Sequence, residues 1–162
     1  MTLSSRLRHV QCVEFSRVFL EKSYHWLHDP VIAHLTLTAP FSREDQERFF
    51  AALPDRKGYQ VYGIQADQKP VGACGLKHIT TDSAEYWGYI GERQYWGQGI
   101  GQFMWDEMLC QARKMNISTL WLLVGKDNPV AQAMYKKNQF LVIEEQAKVL
   151  RMERPVGLEE QC

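Results

Sequence analysis

From residue 95 the chain reads Tyr-Trp-Gly-Gln-Gly-Ile-Gly-Gln, with Gly97, Gly99 and Gly101 at alternate positions directly ahead of a long helical pattern. Without Cβ atoms these glycines reach dihedrals closed to other residues and let backbone amides approach a ligand. The helix start behind them adds unpaired amides and the positive end of its dipole. Trp96, Gly97, Gln98, Gly99, Ile100, Gly101 and Gln102 therefore read as an anion cradle suited to a pyrophosphate, against the plainer reading of a mobile loop. Two other phosphate motifs fail. The only Gly-Lys pair, Gly125-Lys126, is followed by Asp127 rather than Ser or Thr. The dinucleotide fingerprint lacks its last glycine, because Gln102 and Met104 occupy the two registers.

The elements that must position this loop are legible from periodicity. Val10 to Phe15 alternates as a strand, and Val18, Phe19, Leu20, Tyr24, Trp26 and Leu27 follow at helical spacing until Asp29-Pro30 interrupts them. Ser42 with Asp45 three residues later opens a second helix as a capping box. From Tyr59 the period falls to two, and strands to about Ala66, from Val71 to Ile79 and from Ala84 to Ile90 form an antiparallel meander. Ile100, Phe103, Met104, Met108, Ala112 and Met115 mark an amphipathic helix, and Thr119 to Val124 a buried strand. Asn128-Pro129 caps a helix over Val130 to Lys137, after which Phe140 to Ile143 and Lys148 to Glu153 close the chain as strands.

Composition narrows the functions. With 162 residues, 45% of them hydrophobic, the chain reads as a single domain over residues 1–162. Nineteen basic and nineteen acidic residues cancel, which removes the electrostatic footprint of a nucleic-acid binder. No apolar run is longer than Leu120 to Val124, which is strand-sized, and the opening residues lack a secretory core, so a cytoplasmic protein without a membrane partner is expected. Cys12, Cys74, Cys110 and Cys162 are scattered, and the five histidines do not cluster. Neither a disulfide framework nor a metal site is expected; Cys74 and Cys110 read as buried apolar residues and Cys162 as an exposed thiol.

Glu85-Tyr86-Trp87-Gly88-Tyr89-Ile90, the glycine loop, Trp121-Leu122-Leu123-Val124 and the run from Asn128 to Phe140 together resemble the GNAT superfamily of acyl-CoA-dependent N-acyltransferases. The family pattern Gln/Arg-x-x-Gly-x-Gly/Ala falls on Trp96, Gln98, Gly99 and Gly101, with Trp96 departing from it. The Tyr-Trp-Gly-x-Gly form is similar to the ribosomal-protein-acetyltransferase-like branch. The resemblance implies a single α/β (α+β) domain whose mixed, mostly antiparallel sheet of about seven strands is flanked by about four helices. It also implies acetyl-CoA as cosubstrate, with no metal.

Acyl transfer to an amine needs a neutral nucleophile, a stabilised oxyanion and a proton for the departing thiolate. The resemblance puts Tyr135 where a hydroxyl protonates that thiolate, unless it is a core aromatic. It puts Asn128 beside the pantetheine arm, where helix capping is an equal reading. Glu85 is the candidate general base, with Asp82 and His78 in reserve and a solvated strand residue as the alternative. Backbone groups of Tyr89, Ile90 and Gly91 are implied contacts of the thioester. No Cys-His spacing suggests a covalent route, so direct transfer is expected.

The acceptor is less constrained. The stretch from Ser23 to Ile32 resembles the opening of bacterial amino-sugar N-acetyltransferases, such as those of pseudaminic acid synthesis. A small-molecule amine, an amino sugar among them, or a peptide N-terminus is the expected partner, and the chain a monomer or homodimer. A non-catalytic acyl-CoA sensor is the contrasting reading, because a fold does not guarantee turnover.

Overall fold

A computed structural model describes residues 9–157 and residue 162; the reading of the first eight residues lies outside them. β1 (Val10–Glu14), β2 (Gln60–Ala66), β3 (Lys69–Lys77), β4 (Ser83–Ile90), β5 (Thr119–Gly125), β6 (Leu141–Glu145) and β7 (Val149–Pro155) form one sheet. Its order is β1-β2-β3-β4-β5-β7-β6. Every neighbouring pair is antiparallel except β4 and β5, which run parallel across a helical crossover.

Among the described residues five α-helices accompany the sheet: α1 (Arg17–His28), α2 (Pro30–Leu35), α3 (Arg43–Ala52), α4 (Ile100–Lys114) and α5 (Pro129–Lys137). α2 is the helix the sequence reading lacks. α1 ends at His28, as the Asp29-Pro30 step predicts, with Asp29 extended; Pro30 then takes the first helical position of α2, where its missing N–H costs nothing. Asp29 caps that turn by accepting from Val31 N–H at 2.9 Å. The capping box forms as expected, with Asp45 N–H on Ser42 Oγ at 3.0 Å and Ser42 N–H on Asp45 Oδ2 at 2.9 Å.

Strand alternation sends side chains to two separate cores. Ala84 and Tyr86 on β4 join Ile100, Met104, Trp105 and Met108 of α4, with Leu120, Leu122 and Phe140. Phe19, Leu20 and Trp26 of α1 and Phe49 of α3 pack on the opposite face against Ala73, Trp87 and Tyr89. The sheet thus separates a layer holding α4 and α5 from a layer holding α1 and α3.

The cysteines correct one expectation. Cys74 is fully buried, but Cys110 on α4 is bonded to Cys162, 52 positions away. Spacing along the chain does not reveal this pair, because it depends on residue 162 lying beside α4 in space. No described helix is long and apolar enough to cross a membrane.

Candidate active site

The β4–β5 ladder is short. It joins Ser83 to Thr119, Ala84 to Leu120 and Glu85 to Trp121, and stops. Beyond Glu85, β4 stays paired with β3 as far as Ile90, while β5 follows β7 to Gly125. The sheet therefore opens in a wedge whose apex lies at Glu85 and Trp121.

Backbone groups face this wedge selectively. Gly91 N–H donates to Val71 C=O at 2.7 Å, and peptide groups alternate in direction along an antiparallel ladder. Tyr86, Gly88 and Ile90 thus turn toward the wedge, while Tyr89 and Gly91 turn toward β3. Of the three backbone contacts expected from the sequence, only Ile90 faces the opening, and Tyr89 and Gly91 are corrected. Gly91 is glycine for packing, since a Cβ there would lie 2.2 Å from the Trp26 ring. The Tyr89 side chain packs edge-on against Trp26, with ring centroids 6.1 Å apart, and burial pushes its phenol far above the ordinary value.

The glycine loop lies at the wide end of the wedge. Gly97 and Gly99 have φ of 73° and 87°, the left-handed region, and an added Cβ at either would meet nothing within 4 Å. Their need is conformational rather than steric. Gly99 starts α4 without a side-chain cap. Phe103 N–H bonds to Gly99 C=O at 3.1 Å, so the amides of Ile100, Gly101 and Gln102 are the ones left without helical acceptors. Such a set of donors suits a pyrophosphate.

Side chains hold the loop from both ends. Trp96 donates its indole N–H to Ile90 C=O at 2.9 Å. Gln98 Nε2 donates to Gln94 C=O at 2.7 Å. Gln102 exchanges amide hydrogen bonds with Asn138 at 2.8 and 2.9 Å, tying α4 to the end of α5. Gly101 admits that approach, since its added Cβ would be 3.2 Å from Met134 Sδ.

Tyr135 on α5 stands edge-on to Tyr86 at 6.3 Å and to Phe140 at 5.7 Å, within the layer that contains α4. Burial pushes its phenol up to about 12, so the hydroxyl keeps its proton at neutral pH. Asn128 accepts from Ala131 N–H at 3.2 Å and so caps α5. Its Nδ2 donates to no protein group among the described residues.

Glu85 is on the other face, in line with Trp87 and Tyr89, and only 5% exposed. Oε1 lies 2.8 Å from His78 Nδ1 and Oε2 3.5 Å from Lys77 Nζ. His78 has φ of 50°, and its ring stacks on Trp121 at 5.9 Å with an 8° interplanar angle. A non-glycine residue in this region usually marks a turn or a functional constraint. Asp82 is elsewhere: its carbonyl accepts from Ser118 and Thr119 beyond the paired end of β4. Nothing in residue spacing announces the Glu85–His78 pair, because the turn at residue 78 aims the ring. Among the described residues no three His, Cys, Asp or Glu side chains form a metal-holding group.

A sheet wedged open between parallel neighbours, with an uncapped glycine-led helix at its mouth, defines an acyl-CoA-dependent transferase fold. Residues 20–140 match the model of the acetyltransferase (GNAT) family, and the chain belongs to that family. No match was found among curated proteins. Among solved structures, the N-acetyltransferase PseH of Campylobacter jejuni in complex with acetyl coenzyme A superposes with a TM-score of 0.73 at 20% identity, covering 92% of this chain and 100% of that one. The Vibrio cholerae spermidine N-acetyltransferase in complex with CoA and spermine gives 0.84 at 17% identity, over 91% and 95% of the two chains. The ribosomal-protein-S18-alanine N-acetyltransferase of Escherichia coli gives 0.70 at 16%, over 94% and 97%. At such identities these likenesses establish the fold.

Proposed function

We propose that this protein transfers the acetyl group of acetyl-CoA to a primary amine by direct attack, with Glu85 as base and Tyr135 as acid. The observation that carries the reading is the wedge beyond Glu85 and Trp121, flanked by Tyr135 on one layer and Glu85 on the other. A thioester lying in that opening meets both faces of the sheet.

The amides of Ile100, Gly101 and Gln102 would hold the pyrophosphate, with the outward-turned groups of Gly88 and Ile90 and Asn128 Nδ2 beside the pantetheine. Glu85 accepts the proton that the amine loses as its nitrogen bonds to the acyl carbon. Tyr135 supplies the proton taken up by sulfur as the carbon–sulfur bond breaks. A phenol near 12 is a weak acid for a thiolate in water, but burial in the same apolar site raises the thiolate's basicity as well. Glu85 and Tyr135 then exchange protons with solvent, so one proton has moved from nitrogen to sulfur.

A cysteine intermediate has little support. Cys74 is buried and its thiol is raised because it donates a hydrogen bond to Cys12 and because it is buried, while Cys110 is in a disulfide. Cys12 lies on β1, three strands from β4.

The test is the melting temperature with excess acetyl-CoA, with ATP and NAD as controls, followed by thiol release with amines. A ligand at 100 times its dissociation constant adds about 2.7 kcal/mol. A rise with acetyl-CoA alone, then amine-dependent thiol release, is expected. Coenzyme binding with no thiol release for any amine or peptide N-terminus would leave a sensor, and absence of any rise would overturn the coenzyme reading.

A further inference from the structure

Beside Glu85, on the layer away from α4, lies a cleft of about 320 Å³ lined by Arg56, Gly58, Tyr59, Lys77, His78 and Ile79. That volume falls at the lower end of small-molecule sites. Its two walls are the segment entering β2 and the segment leaving β3, joined by Ile79 N–H on Gly58 C=O at 3.1 Å.

The cleft's charge is unbalanced toward the positive. Arg56 has no carboxylate at ion-pair distance among the described residues; its guanidinium is supported by ring faces, 4.4 Å above Tyr59 and 5.8 Å from Phe49. Lys77 and His78 share the one carboxylate of Glu85. The Tyr59 hydroxyl is pushed up to about 12, chiefly by burial, and so remains a neutral donor. The nearby Arg56 cation opposes that rise and the Glu85 carboxylate adds to it. Arg56, Lys77, His78 and Tyr59 thus line one concavity, and the buried candidate base Glu85 is paired with two of them, Lys77 and His78. A guanidinium without a carboxylate partner, beside an ammonium that shares its carboxylate with an imidazole, recognises an oxyanion.

We infer that this cleft binds the acidic group, a carboxylate or a phosphate, of an amine acceptor whose nitrogen is presented to Glu85. The inference rests on the acetyltransferase reading above and names its substrate class. A polyamine would bring a second ammonium against Arg56 and Lys77, a like-charge contact that selects against it. The same two cations favour the neutral form of the acceptor nitrogen, the form that attacks a thioester.

The test uses matched amines differing only in the acid: O-phosphoethanolamine against ethanolamine, and 4-aminobutyrate against propylamine, with spermidine as the opposite-charge control. Each is titrated by calorimetry into the protein with and without bound CoA, and kcat/KM is measured by thiol release from acetyl-CoA. Tighter binding of at least one acidic member by tenfold or more is expected, with the phosphate and carboxylate pairs identifying the anion. Arg56→Gln should erase the preference and Arg56→Lys retain it. Equal binding within both pairs, no binding of either acid, or tighter binding of spermidine overturns the inference. A protein that prefers the acidic amines but releases no thiol keeps the pocket and loses the transfer reading, so the two failures are separable.

Discussion

The indole N–H of Trp96 donates to the carbonyl of Ile90 at 2.9 Å, across the turn that joins the last residue of β4 to the glycine loop. Trp96 stands where the family pattern has Gln or Arg, and its side chain acts on the protein's own backbone. It fixes the loop at the mouth of the wedge while remaining 40% exposed. Trp96→Phe keeps the ring and removes the donor. With one hydrogen bond worth about 1 kcal/mol, KM for acetyl-CoA should rise roughly fivefold with little change in kcat. An unchanged KM would show that the bond does not order the cradle.

Two glycines should respond to alanine in opposite ways. At Gly99, φ of 87° with open space around the missing Cβ predicts a dihedral cost of about 1–2 kcal/mol and weaker acetyl-CoA binding, with the rest of the fold retained. At Gly91 the new methyl would sit 2.2 Å from the Trp26 ring, an overpacking that costs about 1–3 kcal/mol and is felt across α1. Melting curves with and without acetyl-CoA separate them: the ligand-induced rise should shrink in Gly99→Ala and persist in whatever fraction of Gly91→Ala folds.

Much of this was legible in the residues. Ser42 with Asp45 announces α3 because both halves of the capping box are local, and the three-and-four spacing from Ile100 to Met115 announces α4 because one face is buried. The glycine loop is readable for the same reason: its positive φ and the free amides of the helix start are backbone properties. What escaped depends on chain direction and distance. Which of Tyr89, Ile90 and Gly91 faces the wedge is decided by register with β3, and Arg56 reaches Lys77 and His78 only after the meander folds. Pro30 announces the end of α1 but not the start of α2, because a proline that also opens a helix looks like any other until the cap at Asp29 is seen.

Glu85→Gln should lower kcat by about 10²–10⁴-fold while leaving the acetyl-CoA-induced rise in melting temperature intact. The amide can still meet His78 and Lys77 but cannot take a proton from the acceptor. Asp82→Asn is the control, since Asp82 is held through its backbone, its carbonyl accepting from Ser118 and Thr119 and its N–H donating to Thr80 Oγ1. Equal losses in both variants would remove Glu85 from the base position.

Tyr135→Phe should reduce kcat by about 10²–10⁴-fold and spare coenzyme binding. The hydroxyl also sets a pH dependence. Its folded value, about 12, lies above the ordinary value near 10, so its contribution to stability is complete below pH 10 and is lost as pH rises through 12. Tyr59, also near 12, has the same sign. Rate profiles should therefore show no alkaline fall due to Tyr135 below about pH 11. Stability of Tyr135→Phe relative to the parent should improve between pH 10 and 12, a difference read from urea midpoints.

The sheet order β5-β7-β6 has a consequence for synthesis. During translation β5, α5 and β6 leave the ribosome before the strand that belongs between β5 and β6 exists. Until Val149–Pro155 emerges, β5 has an open edge and β6 no neighbour, so the helix carrying Tyr135 hangs from half a sheet. One side of the wedge is thus finished by β7, and a nascent chain stalled before residue 149 should display the glycine loop without a completed wedge.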